Sequence, residues 1–327
     1  MALLQVQDIS ISIDRPEGKV GLVRDVSFDI QPGEIVGMLG ESGCGKSLTA
    51  LAILGLLPEG MTATGEILFK GANLLTLDEP SLCRLRGNRI GLIFQEPMTT
   101  LNPMMTIGDQ VMEPLRLHRG LGRHDARAEA LRLLERIRLP SPRQKFDSYP
   151  HQLSGGQRQR VVIAMAIACK PELLIADEPT TALDTTMQMQ ILDLLLDLTD
   201  ETDTGLLLIT HDLGVMAEMT DRILVMYGGS IVETSPTADL IASPAHPYSR
   251  GLLRAIPQRA PGSDGWLEPI PGTVPAPAAR PQGCLFRARC PIAIAECAAH
   301  RPELRDILPG RSAACWVPII HGRTGDA

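Results

Sequence analysis

The sequence predicts an α/β fold: a mostly parallel sheet covered on both faces, broken by an inserted helical subdomain and followed by an irregular Pro/Cys-rich C-terminal module. Three observations carry this. Short apolar runs of strand length alternate with helical patterns through the first 240 or so positions, the rhythm of a parallel sheet with crossover helices. Between 98 and 153 that rhythm gives way to scattered prolines around one amphipathic stretch. From Pro244 onward lie thirteen of the 26 prolines and four of the seven cysteines, a composition that a compact parallel sheet does not tolerate.

Taken in order, Gly33–Leu39 is a short apolar strand opening into Gly40, and Leu173–Ala176 and Leu206–Ile209 are two more. Val161–Cys169 and Met187–Leu198 read as helices between them. Asp125–Arg138 places Ala130, Leu133, Leu134 and Ile137 at helical spacing, with its arginines outward as a solvated face, a nucleic-acid patch being the alternative. The expected division is residues 1–242, with the helical subdomain at about 98–165, and a tail over 243–327.

Composition excludes several classes. The 327 residues suit one large domain or two, and 44% hydrophobic against 21% charged residues is enough to bury a full core. A net charge of 31 − 38 = −7 argues against a chain that coats nucleic acid, so no nucleic-acid partner is expected. Aromatic residues make up 3%, too few for many stacking platforms. The longest apolar run, Val161–Cys169, is about half of the roughly 20 residues of a spanning helix, and Met1–Val6 lacks a basic start and apolar stretch. The expectation is a cytosolic chain, in which clustered cysteines read as metal ligands before disulfides.

Gly40-Glu41-Ser42-Gly43-Cys44-Gly45-Lys46-Ser47 fits G-x-x-x-x-G-K-[ST] between a strand and a helix. Its glycines let amides converge on phosphate oxygens. Lys46 reaches the β- and γ-phosphates, and the Ser47 hydroxyl ligates Mg²⁺. Asp177 and Glu178 end an apolar strand; one carboxylate suits Mg²⁺, and the second suits a general base acting on water. Leu153-Ser154-Gly155-Gly156-Gln157 supplies an N-cap and two glycines that permit close approach to an anion.

Together these strings resemble the motif set of ABC-type ATPases, over residues 1 to about 240. The resemblance implies an ABC-type P-loop NTPase domain with a helical subdomain, binding ATP with Mg²⁺. It implies that Gln95, after Ile90–Phe94, touches Mg²⁺ and the attacking water. It also implies that Asp184, in Ala182-Leu183-Asp184, lies at a dimer seam and that His211 binds the γ-phosphate. In that family two such domains pair head to tail, which implies that Ser154, Gly155, Gly156 and Gln157 act on the partner's nucleotide. The family commonly stacks adenine on an aromatic ring before the phosphate loop. Here that region holds no Phe, Tyr or Trp, and Ile13 or Val20 offers only an apolar contact.

Gln95–Pro103 and His246-Pro247-Tyr248-Ser249-Arg250-Gly251-Leu252-Leu253 are similar to the oligopeptide/dipeptide importer group, of the "D" ATPase type. That implies uptake of di- or oligopeptides, with nickel chelates or other small solutes as the alternative. Implied partners are a second, distinct ABC ATPase subunit, two transmembrane permeases docking near Gln95–Val111, and an extracytoplasmic solute-binding protein. The implied location is peripheral, on the cytoplasmic face of the inner membrane. A soluble non-transport ABC ATPase is the distant alternative; no heptads lie between the phosphate loop and Ser154. Cys284, Cys290, Cys297 and Cys315 lack a C-x2-C pair, and Cys290 precedes proline. Matching cysteines in the group imply a [4Fe–4S] cluster, with Zn²⁺ or free thiols as alternatives.

Overall fold

The computed structural model describes residues 2–16, 18–94, 96–181, 183–255 and 269–319. Its strands, in chain order, are β1 (Leu4–Arg15), β2 (Gly18–Ile30), β3 (Ile35–Leu39), β4 (Met61–Phe69), β5 (Ala72–Asn73), β6 (Ile90–Ile93), β7 (Leu173–Asp177), β8 (Gly205–Ile209), β9 (Arg222–Tyr227), β10 (Ser230–Pro236), β11 (Arg305–Leu308) and β12 (Arg311–Ala313). The chain divides into two units. One comprises Met1–Leu4, Asp29–Ile35 and Leu68–Ile209; the other comprises Gln5–Phe28, Val36–Ile67 and Thr210–Ala327.

In the first unit, β6, β7 and β8 run parallel, with Ile90 opposite Leu173 and Leu173 opposite Gly205. Leu173–Ala176 and Gly205–Ile209 are entirely buried, as strands covered on both faces must be. Helices Ile107–Arg119, Arg123–Arg136 and Gly155–Ile167 pack together beside them. Ala130, Leu133, Leu134 and Ile137 are buried, the apolar face that their spacing predicts. The arginines of this region engage carboxylates: Arg127 with Asp147, Arg132 with Glu129, Arg136 with Glu201 and Arg138 with Asp197. They form an ion-paired surface, as the solvated-face reading expects.

In the second unit β3 runs parallel to β9, and β9 is antiparallel to β10. The tail, irregular over much of its described length, ends in the hairpin β11–β12, whose second strand adds to β10 with Glu233 opposite Ala313. That pairing covers a sheet edge whose amides otherwise face solvent. One apolar cluster then joins sheet and tail. It includes Leu39, Val225, Tyr227, Tyr248, Leu285 and Phe286, with Cys284 and Cys290 packed against it.

Candidate functional site

The phosphate loop joins β3 to the helix Lys46–Ile53 in the second unit. Two glycines are sterically required. A Cβ on Gly40 would lie 2.3 Å from the Met226 carbonyl, and Gly45 has φ +103° with Val23 Cγ2 2.8 Å from where its Cβ would be. Gly45 is the N-cap and offers no side-chain cap, and the first turn holds no acidic residue. The helix N-terminus therefore keeps its amides and positive field for an anion. Lys46, 6% exposed, donates from Nζ to the carbonyls of Gly40 at 2.7 Å and Glu41 at 3.2 Å, so its ammonium is held at the loop itself. Ser42 and Gly43 are exposed, Ser47 is half-buried and Cys44 is buried. Burial pushes the Cys44 thiol up, leaving it a protonated apolar filler.

Glu41 is held from the tail side. Its backbone N–H donates to Tyr248 Oη at 2.9 Å, and both carboxylate oxygens accept from the Arg289 guanidinium at 3.0 Å. The Tyr248 phenol sits behind the loop and is raised well above its ordinary range by burial. Also in this unit, Thr210 N–H donates to the Met38 carbonyl at 3.4 Å. The stretch bearing His211 thus leaves the sheet beside the strand end that opens into Gly40. His211 is exposed there, and Asp212 caps the next helix by accepting from Gly214 and Val215. Ile13 and Val20 are half-buried on β1 and β2.

The remaining motif residues belong to the first unit. Asp177 ends β7 half-buried. Glu178 follows with φ 47°, a left-handed conformation that costs a non-glycine residue about 1 kcal/mol or more. Its N–H donates to the Ile209 carbonyl at 2.8 Å, and Oε2 accepts from the Thr181 hydroxyl at 2.8 Å. The turn thereby ties the residue that follows the strand end by both its backbone and its carboxylate. Ser154 and Gly155 are exposed at the start of the helix Gly155–Ile167 while Gly156 is buried, and Ser154 N–H donates to Gln157 Oε1 at 3.3 Å. Asp184 Oδ1 accepts from Met187 N–H at 3.0 Å and caps Thr185–Thr202. Gln95 and Ala182 lie outside the described residues. Beyond Gln95, buried Gln110 shapes the loop 102–105. Its Oε1 accepts from Asn102 N–H at 2.9 Å, and its Nε2 donates to the carbonyls of Asn102 and Met105, both at 3.1 Å. Met104 stands 83% exposed on that loop.

All four tail cysteines line one cleft with His246, Phe286 and Trp316. None is in a disulfide; Cys297 and Cys315 are buried, and Cys284 and Cys290 half-buried. Burial pushes Cys315 up to about 11 and raises Cys284 and Cys290 as well. Among the described residues no group of three or more His, Cys, Asp or Glu is arranged to hold a metal ion. The ligand set expected at Cys284, Cys290, Cys297 and Cys315 therefore rests on donor chemistry and a shared cleft, not on ligating geometry.

Residues 23–181 match the ABC transporter family, and residues 232–297 match the oligopeptide/dipeptide transporter C-terminal region. The chain is 49% identical over 316 residues to a probable peptide ABC transporter ATP-binding protein, y4tR, of Sinorhizobium fredii, covering 96% of this chain and 94% of that one. It belongs to the ABC transporter ATP-binding proteins. This ABC subunit is also 45% identical over 318 residues to the oligopeptide transport ATP-binding protein OppD of Escherichia coli, covering 97% and 94%. Among solved structures it is similar to the dimeric ATP-binding cassette MJ0796 in a post-hydrolysis state bound to ADP and Pi. That likeness has TM-score 0.65 and 30% identity, covering 72% of this chain and 98% of the other. The subunit's activity is ATP hydrolysis coupled to transport. Among the described residues no helix is long and apolar enough to cross a membrane.

Sequence reasoning gave Tyr248 only a place in the importer-group string His246–Leu253 and did not single out Arg289. Both contacts run to Glu41, 207 and 248 positions away, so no local pattern carries the signal.

Proposed function

We propose that this ABC subunit energises uptake of di- and oligopeptides across the cytoplasmic membrane. The observation that carries the substrate class is the match of residues 232–297 to the C-terminal region of oligopeptide/dipeptide transporters. In this reading 1–242 forms the nucleotide-binding domain and 243–327 the importer-type tail. The backbone of Gly40–Ser47 and the Lys46 ammonium bind the β- and γ-phosphates, and Ser47, Asp177 and Gln95 hold Mg²⁺. Glu178 takes a proton from water as its oxygen attacks the γ-phosphorus, with Gln95 and His211 orienting water and γ-phosphate. ADP is the leaving group. The strained backbone that presents Glu178 supports this role.

Ser154, Gly155, Gly156 and Gln157 act on the nucleotide of a second, distinct ABC ATPase subunit, and Asp184 lies along the seam. The exposure of Ser154 and Gly155 supports this. The loop that Gln110 shapes, with exposed Met104, offers an apolar contact to a permease, and an extracytoplasmic binding protein delivers the peptide. The subunit works at the cytoplasmic face of the inner membrane. The four tail thiols hold a [4Fe–4S] cluster, with Zn²⁺ the alternative occupant; four soft sulfur donors around one cleft fit either. Bound there, the group supplies the cross-link that a proline-rich segment with a small core lacks.

The test is reconstitution of the subunit with its partner ATPase, permeases and binding protein in proteoliposomes. Binding protein loaded with short peptides is expected to stimulate ATP hydrolysis severalfold and to drive peptide accumulation. Stimulation by nickel chelates and not by peptides overturns the substrate class and leaves the ATPase in place.

A further inference from the structure

We infer that Arg289 is a positioning residue for the phosphate loop: it holds the Glu41 carboxylate, neutralised, at the loop's rim and so makes ATP affinity depend on the C-terminal module. The contact is a two-pronged fork, with Nη1 donating to Oε2 and Nη2 to Oε1, each at 3.0 Å. The guanidinium has five N–H donors, and each has an acceptor. Nε donates to the Pro271 carbonyl at 2.8 Å, Nη2 also to the Ile270 carbonyl at 3.3 Å, and Nη1 also to Tyr227 Oη at 3.4 Å. Its side chain is 5% exposed against 31% for Glu41, so the tail side of the pair is fixed and the loop side is the part that yields. The rings of Tyr227 and Phe286 lie 5.7 and 5.9 Å from the guanidinium carbon and confine it further.

The chemistry explains why such a clamp is needed. Glu41 follows Gly40 directly, in a loop whose amides and lysine gather a polyanion. An unpaired carboxylate there repels the incoming phosphates. A bidentate arginine cancels that charge and fixes where the side chain points. Tyr248, accepting from Glu41 N–H, anchors the same residue by its backbone. Both anchors come from the tail, so the loop's first turn is set from outside the cassette motifs.

The experiment is an MgATP titration of hydrolysis by the assembled importer in proteoliposomes. Arg289→Met keeps the buried stem and removes the fork. It is expected to raise KM for MgATP about tenfold with kcat changed by less than about twofold, and Arg289→Lys to give a smaller rise. In the Glu41→Gln background, Arg289→Met is expected to move KM by less than about twofold, because the charge it would expose is gone. An equal rise in both backgrounds, or a KM that does not move while Tm falls, makes Arg289 a brace for the tail and overturns the inference. If Arg289→Met does not assemble, Arg289→Lys with and without Glu41→Gln decides on the same terms. The outcome is independent of the peptide reading, since hydrolysis is the readout.

Discussion

Glu178 shows what a single side chain is asked to do. Its φ of 47° is maintained by the Ile209 carbonyl on its own N–H and by the Thr181 hydroxyl on Oε2. A strained, hydrogen-bonded carboxylate at a strand end suits proton removal from water better than it suits packing. Glu178→Gln keeps shape and hydrogen bonding to Thr181 but cannot accept the proton. Turnover is expected to fall by about 10²–10⁴-fold, while MgATP binding stays within about threefold; nucleotide retention and phosphate release, measured side by side, check this. Undiminished release removes Glu178 as the base. This carboxylate was legible in the sequence because its signal is local: an apolar strand ending in two acids. Arg289 was not, because its value lies in a loop 248 positions earlier in the chain.

The helix Pro247–Arg254 carries the importer-group string, and its start is a buried polar knot. His246 Nδ1 accepts from Tyr248 N–H at 3.0 Å, and Glu233 accepts from Ala245 and His246 N–H at 2.8 Å each. Full burial holds the His246 imidazole neutral, pulling its pKa from 6.5 down to about 3. On unfolding the ring takes up a proton near 6.5. Its share of stability is therefore complete above that pH and is lost as pH falls toward 3, by about 1.4 kcal/mol per unit. Burial raises Glu233, and its contribution runs the opposite way, weakening as pH rises above the ordinary carboxylate range. His246→Asn keeps an acceptor for Tyr248 N–H and cannot titrate, and Glu233 is common to both proteins. Between pH 7 and pH 5 the wild-type Tm is expected to fall more steeply than that of His246→Asn. Parallel Tm curves refute the neutral buried imidazole. From sequence this element was legible only as the importer-group string His246–Leu253. Its reach to the phosphate loop was hidden, since a phenol's partner is set by tertiary packing and not by spacing.

At the scale of the molecule, the tail reads from composition as an appendage, yet its hairpin β11–β12 extends the sheet and its aromatic residues share a core with Leu39 beside the phosphate loop. Proline content obscures this, because it marks irregular backbone without saying what that backbone packs against. The consequence bears on the cysteines. If they stabilise only the tail, a cysteine variant spares the ATP site; with Arg289 adjacent to Cys290 and bonded to Glu41, the proposed clamp predicts the opposite. Anaerobically purified subunit is expected to carry about four irons and four sulfides per chain. Cys290→Ser is expected to lose most of that iron, to lower Tm by several degrees, and to raise KM for MgATP in the same direction as Arg289→Met. Zinc without iron replaces the cluster and leaves the coupling intact. A Cys290→Ser protein with full metal content and unchanged Tm defeats the ligand assignment. One that loses its metal and its Tm but keeps its KM shows that the cysteines do not set the position of Arg289, and the Arg289→Met titration alone then decides the clamp.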